Sequence, residues 1–299
     1  MRRVKTCLVL ATLAANSCGC SSRNGVKGHT ELTQSQRSVA KEATREELFE
    51  AYNLIARSTK TLNATVELKP TAGSKYSGVI DEYHEVKAFI LAVRPAEIRV
   101  IGQAPVIGTT VFDMASDGET FRVSIPPKKK FLVGLVAVER SSSKPIENLR
   151  PQHLLDALLW PEIRKEESVT LREYNEENAR YYILTVLRGG YQVEVLREIW
   201  FDRSELQVSR MLTFGPKGVL LSDVRLGDWQ PSDAATSSTA AALFPRAIRI
   251  ERPHDDYKLD LRVTKVIMNE EIPAERFKLE QPAGAELVPV GKASESKQP

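Results

Sequence analysis

Between residues 61 and 135 apolar side chains recur at every second position. Val86, Ala88, Ile90 and Ala92 form one such run, and Ile98 and Val100 begin another. Turn-forming residues interrupt the runs at 70–74, Arg94-Pro95, 102–108, Asp117-Gly118 and Pro126-Pro127. A period of two places alternate side chains on one face of a strand. Closely spaced turns make neighbouring strands antiparallel, as in a meander. No helix-length segment lies between these strands, which disfavours a parallel βαβ sheet.

The flanking segments read differently. Residues 36–58 carry Leu48, Phe49, Tyr52 and Ile55 on one helical stripe, with Lys41, Glu42, Arg45 and Glu46 mostly off it. Ser35 and Ser38 are the candidate N-caps. Such a helix lies most simply across one face of the sheet. Residues 149–160 set Leu154, Leu155, Leu158 and Leu159 at helical spacing, and Pro161 stops the run. His153 at its start reads as a surface or capping residue. Strand signals resume at 168–174, 180–187, 191–202, 206–213, 219–227, 246–251 and 257–267. Residues 231–243 read as a mobile insertion and 281–299 as a disordered tail. Phe277 reads as the anchor of the closing segment.

Charge narrows the partners. Of 42 lysines and arginines, Arg2, Arg3 and Lys5 stand in the first five residues, and the other 39 match the 39 acids. A balanced body lacks the basic excess of a nucleic-acid-binding face. Lys128, Lys129 and Lys130 read as a solvated hairpin end, with anionic head groups as the sharper alternative. The three cysteines are Cys7, Cys18 and Cys20, so the body from Ser21 onward has no thiolate chemistry and no disulfide.

Residues 1–20 read MRRVKTCLVLATLAANSCGC. A basic end precedes a short apolar run, then small residues and cysteine. The run is too short to span a bilayer and fits a secretory signal. It resembles a bacterial lipoprotein signal, which implies acylation of Cys18 or, alternatively, Cys20. The residue after the cysteine is Gly19 or Ser21 rather than Asp, which points to the outer membrane, facing the periplasm. Residues 21–34 then read as a flexible tether, leaving 35–280 as the folded domain.

The order helix, meander, Leu-rich helix, second meander resembles the LolA/LolB-like superfamily of lipoprotein carriers and receptors. The best-matched stretches are EIRVIGQAPVIGTTVFDMASDGETFRV, KKKFLVG and PQHLLDALLWP. The resemblance implies a mainly β fold, a single curved antiparallel sheet forming an incomplete barrel, with helices covering its concave side. It also implies an apolar groove for acyl chains. The inward set would be Val86, Ala88, Ile90, Ile98, Val100, Val111, Phe121 and Val123, with Leu155, Leu158 and Leu159 as the lid. Val106 and Ile107, adjacent and apolar in a turn, would insert into a bilayer or meet an incoming chain, unless the turn tucks against a helix. The insertion at 231–243 and the long tail depart from the compact receptor.

Motifs for catalysis are missing. His29, His84, His153 and His254 have no metal-ligand spacing, and His254-Asp255-Asp256 reads as a solvated turn. There is no G-x-S-x-G, P-loop, dinucleotide fingerprint or C-x-x-C. The sequence thus leads to a non-enzymatic protein with no cofactor and no metal. It would bind acyl chains of lipids or lipoproteins for non-covalent transfer to the outer membrane, with a periplasmic carrier as a possible partner. The alternative is an interaction lipoprotein whose barrel is filled.

Overall fold

Alternation and turns build the meander as the sequence reads. In the computed structural model, which describes residues 39–73, 80–137, 148–190, 192–233 and 242–290, the chain enters helix α1 (Arg45–Ser58). Seven strands follow: β1 (Thr61–Gly73), β2 (Ile80–Glu82), β3 (Val86–Val93), β4 (Glu97–Gln103), β5 (Thr110–Ser116), β6 (Thr120–Ile125) and β7 (Lys130–Leu135). Helix α2 (Pro151–Leu158) precedes β8 (Glu167–Asn175), β9 (Arg180–Arg188), β10 (Glu194–Asp202), β11 (Gln207–Phe214), β12 (Leu220–Pro231), β13 (Leu243–Arg252) and β14 (Tyr257–Met268). A last strand, β15, spans Glu286–Val290. These elements all belong to one compact unit, residues 40–299. The signal, the cysteines and the tether lie outside the described residues, as does most of the 231–243 insertion.

All the strands share one sheet, ordered β15-β7-β6-β5-β4-β3-β1-β14-β13-β12-β11-β10-β9-β8, with β2 on β1. Every pairing is antiparallel except β15 with β7. β1 and β14 close the two meanders on each other, with Ala64 opposite Val266 and Leu68 opposite Leu261. The sheet ends at β8 and β15, so the barrel is incomplete. Laid flat, fourteen strands would be roughly 60 Å wide. Instead Ile90 of β3, Val100 of β4, Leu184 of β9, Ile199 of β10 and Ile248 of β13 share one core with Leu48 and Tyr52 of α1 and Leu154 of α2. Only a sheet rolled around both helices brings those residues together.

The helix boundaries have local causes. Thr44, not Ser35 or Ser38, caps α1. Its hydroxyl accepts from the Glu47 amide at 3.2 Å, and the Glu47 carboxylate accepts from the Thr44 amide at 2.7 Å. This reciprocal pair satisfies two amides that the first turn leaves open. Pro151 starts α2, where its missing N–H costs nothing. Gly102 sits opposite Phe112, and a Cβ there would fall 2.3 Å from the ring, so the glycine makes room for the aromatic.

The C-terminal reading needs correction. Residues 286–290 form a strand where composition suggests disorder. A crossover from β14 makes this possible, since parallel neighbours cannot be joined by a tight turn. Arg99 on the outer face of β4 donates from Nη1 to the Arg276 carbonyl at 2.8 Å, and Phe277 is buried as expected. The segment so held delivers β15 to the β7 edge, where the Glu286 amide donates to the Lys129 carbonyl at 2.8 Å. Alternation then turns the backbone of Pro289 away from β7, so the outer edge lacks a donor there.

Candidate functional site

The extended piece after α2 is read by side chains instead of by a neighbouring strand. Pro161 ends the helix, and the next backbone groups find partners on α1 and beside it. Asn53, fully buried, donates Nδ2 to the Ile163 carbonyl at 3.1 Å and accepts the Ile163 amide at 2.9 Å. The Tyr52 hydroxyl donates to the Pro161 carbonyl at 2.9 Å. Burial pushes that phenol up to about 12, so it stays a donor at any physiological pH. Arg94, in the β3–β4 turn, donates Nε to the Thr59 carbonyl at 2.8 Å and Nη2 to the Trp160 carbonyl at 2.7 Å.

This stitching fixes Trp160. Its ring stacks on Tyr52, with centroids 5.7 Å apart and planes 11° from parallel. It meets Trp229 edge-on at 5.9 Å and 78°. The indole N–H donates to the Ala157 carbonyl at 3.1 Å. Trp229 faces the core through a break in the alternation. Val224 and Leu226 point inward, so position 228 should follow, but Asp228 takes a left-handed conformation at φ 53°. That twist turns Trp229 inward in its place.

Beside these rings lies a partly open cavity of about 230 Å³. Ile55, Leu158, Trp160, Trp229, Phe244 and Met268 give it apolar walls. Ser58, Thr59, Gln207 and Arg94 supply the polar groups on its lining. A second cleft of about 280 Å³ lies between Pro126, Lys129 and Lys130 and the 282–285 turn, and it lacks aromatic walls.

The residues expected to line a groove are placed otherwise. Val86, Ala88, Ile90, Ile98 and Val100 join the core with Leu155, Leu158 and Leu159, and Val111 and Val123 pack half-buried against it. Ala88, Ile90, Ile98 and Val100 are 0% exposed, so not even a water-sized space lies beside them. Phe121 is buried under the Arg150 guanidinium, 4.5 Å from its ring centre. In this conformation the lid leucines close over a filled interior, and only Leu158 reaches the cavity. Val106 and Ile107 instead project, 94% and 76% exposed, and are not tucked against a helix.

Two readings of polar residues change. His153 is not a surface cap, because its Nδ1 shares a hydrogen bond with the Tyr257 hydroxyl inside the fold. Burial, then the charges of Arg252 and Arg150, hold the imidazole well below its usual range, so it is neutral. Asp255 is buried and paired with Arg252 at 2.8 Å, so that turn is a structural clasp. Among the described residues no three His, Cys, Asp or Glu side chains gather as a metal site.

No protein-family model matches the sequence, and no curated protein does. Solved structures do resemble it. A LolA superfamily protein from Nitrosomonas europaea is 13% identical with a TM-score of 0.47, covering 80% of this chain and 99% of that one. A putative outer membrane lipoprotein-sorting protein domain from Vibrio parahaemolyticus is 10% identical with a TM-score of 0.48, covering 77% and 94%. A DUF1329 family protein from Desulfovibrio piger is 12% identical with a TM-score of 0.46, covering 77% and 97%. The fold class itself stands on this chain's own strand order: a mainly β, unclosed sheet rolled around two helices.

Proposed function

We propose that this protein is a non-enzymatic binder of acyl chains in the cell envelope. It would be tethered through Cys18 or Cys20 to the outer membrane and would face the periplasm. The observation that carries this reading is the cavity of about 230 Å³ walled by Trp160, Trp229, Phe244, Ile55 and Met268. An apolar cavity of about 150 Å³ holds a benzene ring, so this one has room for roughly nine carbons of a single chain. At about 0.8 kcal/mol per buried CH₂, such a chain gains about 7 kcal/mol before the cost of association. Binding of that size is weak and reversible, which suits hand-over better than storage. The similar structures, described as LolA superfamily and lipoprotein-sorting chains, agree with this reading without carrying it.

The test uses the protein's own fluorescence. Trp160 and Trp229 line the cavity, and Trp200 packs elsewhere, against Tyr174 and Tyr181. In Trp200→Phe protein, a terminally brominated decanol should quench most of the remaining emission in a saturable way. Absence of quenching up to the solubility limit would end the acyl-chain reading. It would favour the second one, an interaction lipoprotein with a filled barrel, to which the closed packing around Ala88, Ile90, Ile98 and Val100 already lends weight.

A further inference from the structure

Resting on the acyl-chain reading, we propose that the cavity selects a single-chain amphiphile with an anionic head, and that Arg94 is the residue that pairs with it. Arg94 is part of the lining and partly buried. No carboxylate of the described residues lies within 4 Å of it. The nearest acid in effect is Glu162, already paired with Arg57 at 2.9 Å. A guanidinium partly withdrawn from water without a counter-ion carries a desolvation cost that an anion would offset. Burial lowers its proton affinity, and the influence of Glu162 only partly opposes that.

Structural duties account for part of the side chain. Nε and Nη2 hold the Thr59 and Trp160 carbonyls, and Thr59 is the C-cap of α1. A helix C-terminus presents about half a negative charge, which leaves part of a full cation unanswered. Nη1 makes no hydrogen bond to any described residue. The two carbonyl contacts fix the guanidinium plane before any ligand arrives, so pairing with an anion costs little ordering. Charge-assisted hydrogen bonds of this type are about twice as strong as neutral ones. The other polar groups on the lining, Ser58, Thr59 and Gln207, carry no formal charge, and the partial negative charge of the α1 C-terminus is met by Nε of Arg94.

The head group could be a carboxylate or a phosphate monoester, since both present the same oxygens. The experiment is calorimetry on the full chain with Cys18→Ser and Cys20→Ser, titrated with decanoate, decyl phosphate and decanol below their micelle concentrations. Either anion should bind at least about tenfold tighter than decanol, and the tighter of the two names the head. Arg94→Met should bring the three ligands to similar affinity, while Arg94→Lys should keep part of the preference. Equal binding of all three to the Arg94 protein overturns the inference while the acyl-chain reading stands. No binding of any of them overturns both. The comparison made on Arg94 protein decides the matter even where a variant fails to fold.

Discussion

Val106 and Ile107 are adjacent, apolar and outside every packing contact that stabilises the fold. Exposed substitutions away from such contacts change stability within about 0.5 kcal/mol. Val106→Glu with Ile107→Glu should therefore leave the melting temperature nearly unchanged, and a large drop in thermal unfolding would show that the turn is packed in solution. Asn53 is the opposite case. It satisfies both backbone groups of Ile163 from a fully buried position. Asn53→Ala leaves two buried groups without partners at about 1–3 kcal/mol each, which urea unfolding should register. A polar residue inside an apolar helical stripe is hard to interpret from sequence, because its partner is 110 residues away. Trp229 was equally hidden, since its inward direction depends on the backbone twist at Asp228 and not on parity.

Among the elements, α2 couples packing to pH. The folded His153 is held neutral, while in the unfolded chain an imidazole takes up a proton below about pH 6.5. The unfolded state then binds more protons, so stability falls as pH drops below that value and keeps falling toward the lowered folded pKa. The slope from this one group is at most about 1.4 kcal/mol per pH unit. Asp156 on the same helix, its carboxyl pushed up to about 6 by burial, acts in the opposite sense as pH falls toward 6. Urea unfolding at pH 7.5 and 6.5 should therefore show the decline, and His153→Gln should flatten it. The helix itself was legible, because Pro151 and Pro161 bracket four leucines at helical spacing. Its histidine was not, since nothing local announces Tyr257. The strands were legible for the same reason as the helix: alternation and turns are short-range. β15 was missed because a five-residue strand rich in exposed positions carries almost no pattern, and only the crossover held by Arg99 gives it a neighbour.

At the scale of the whole molecule, the sheet's inner face is crowded and its free space is displaced to one end. Val86, Ala88, Ile90, Ile98 and Val100 of the alternating set are buried in the core. Alternation says which way a side chain points and nothing about whether the volume in front of it is taken. Here α1 and α2 take it, through Leu48, Tyr52 and Leu154, and the remaining room collects where Trp160 and Trp229 hold the wall apart. The rolled sheet also has unlike margins. The margin formed by β15 has a proline at an outward position, whereas β8 runs nine residues without one. Strand pairing between copies is therefore easier at β8 than at β15, which favours a closed twofold pair over an extended fibre.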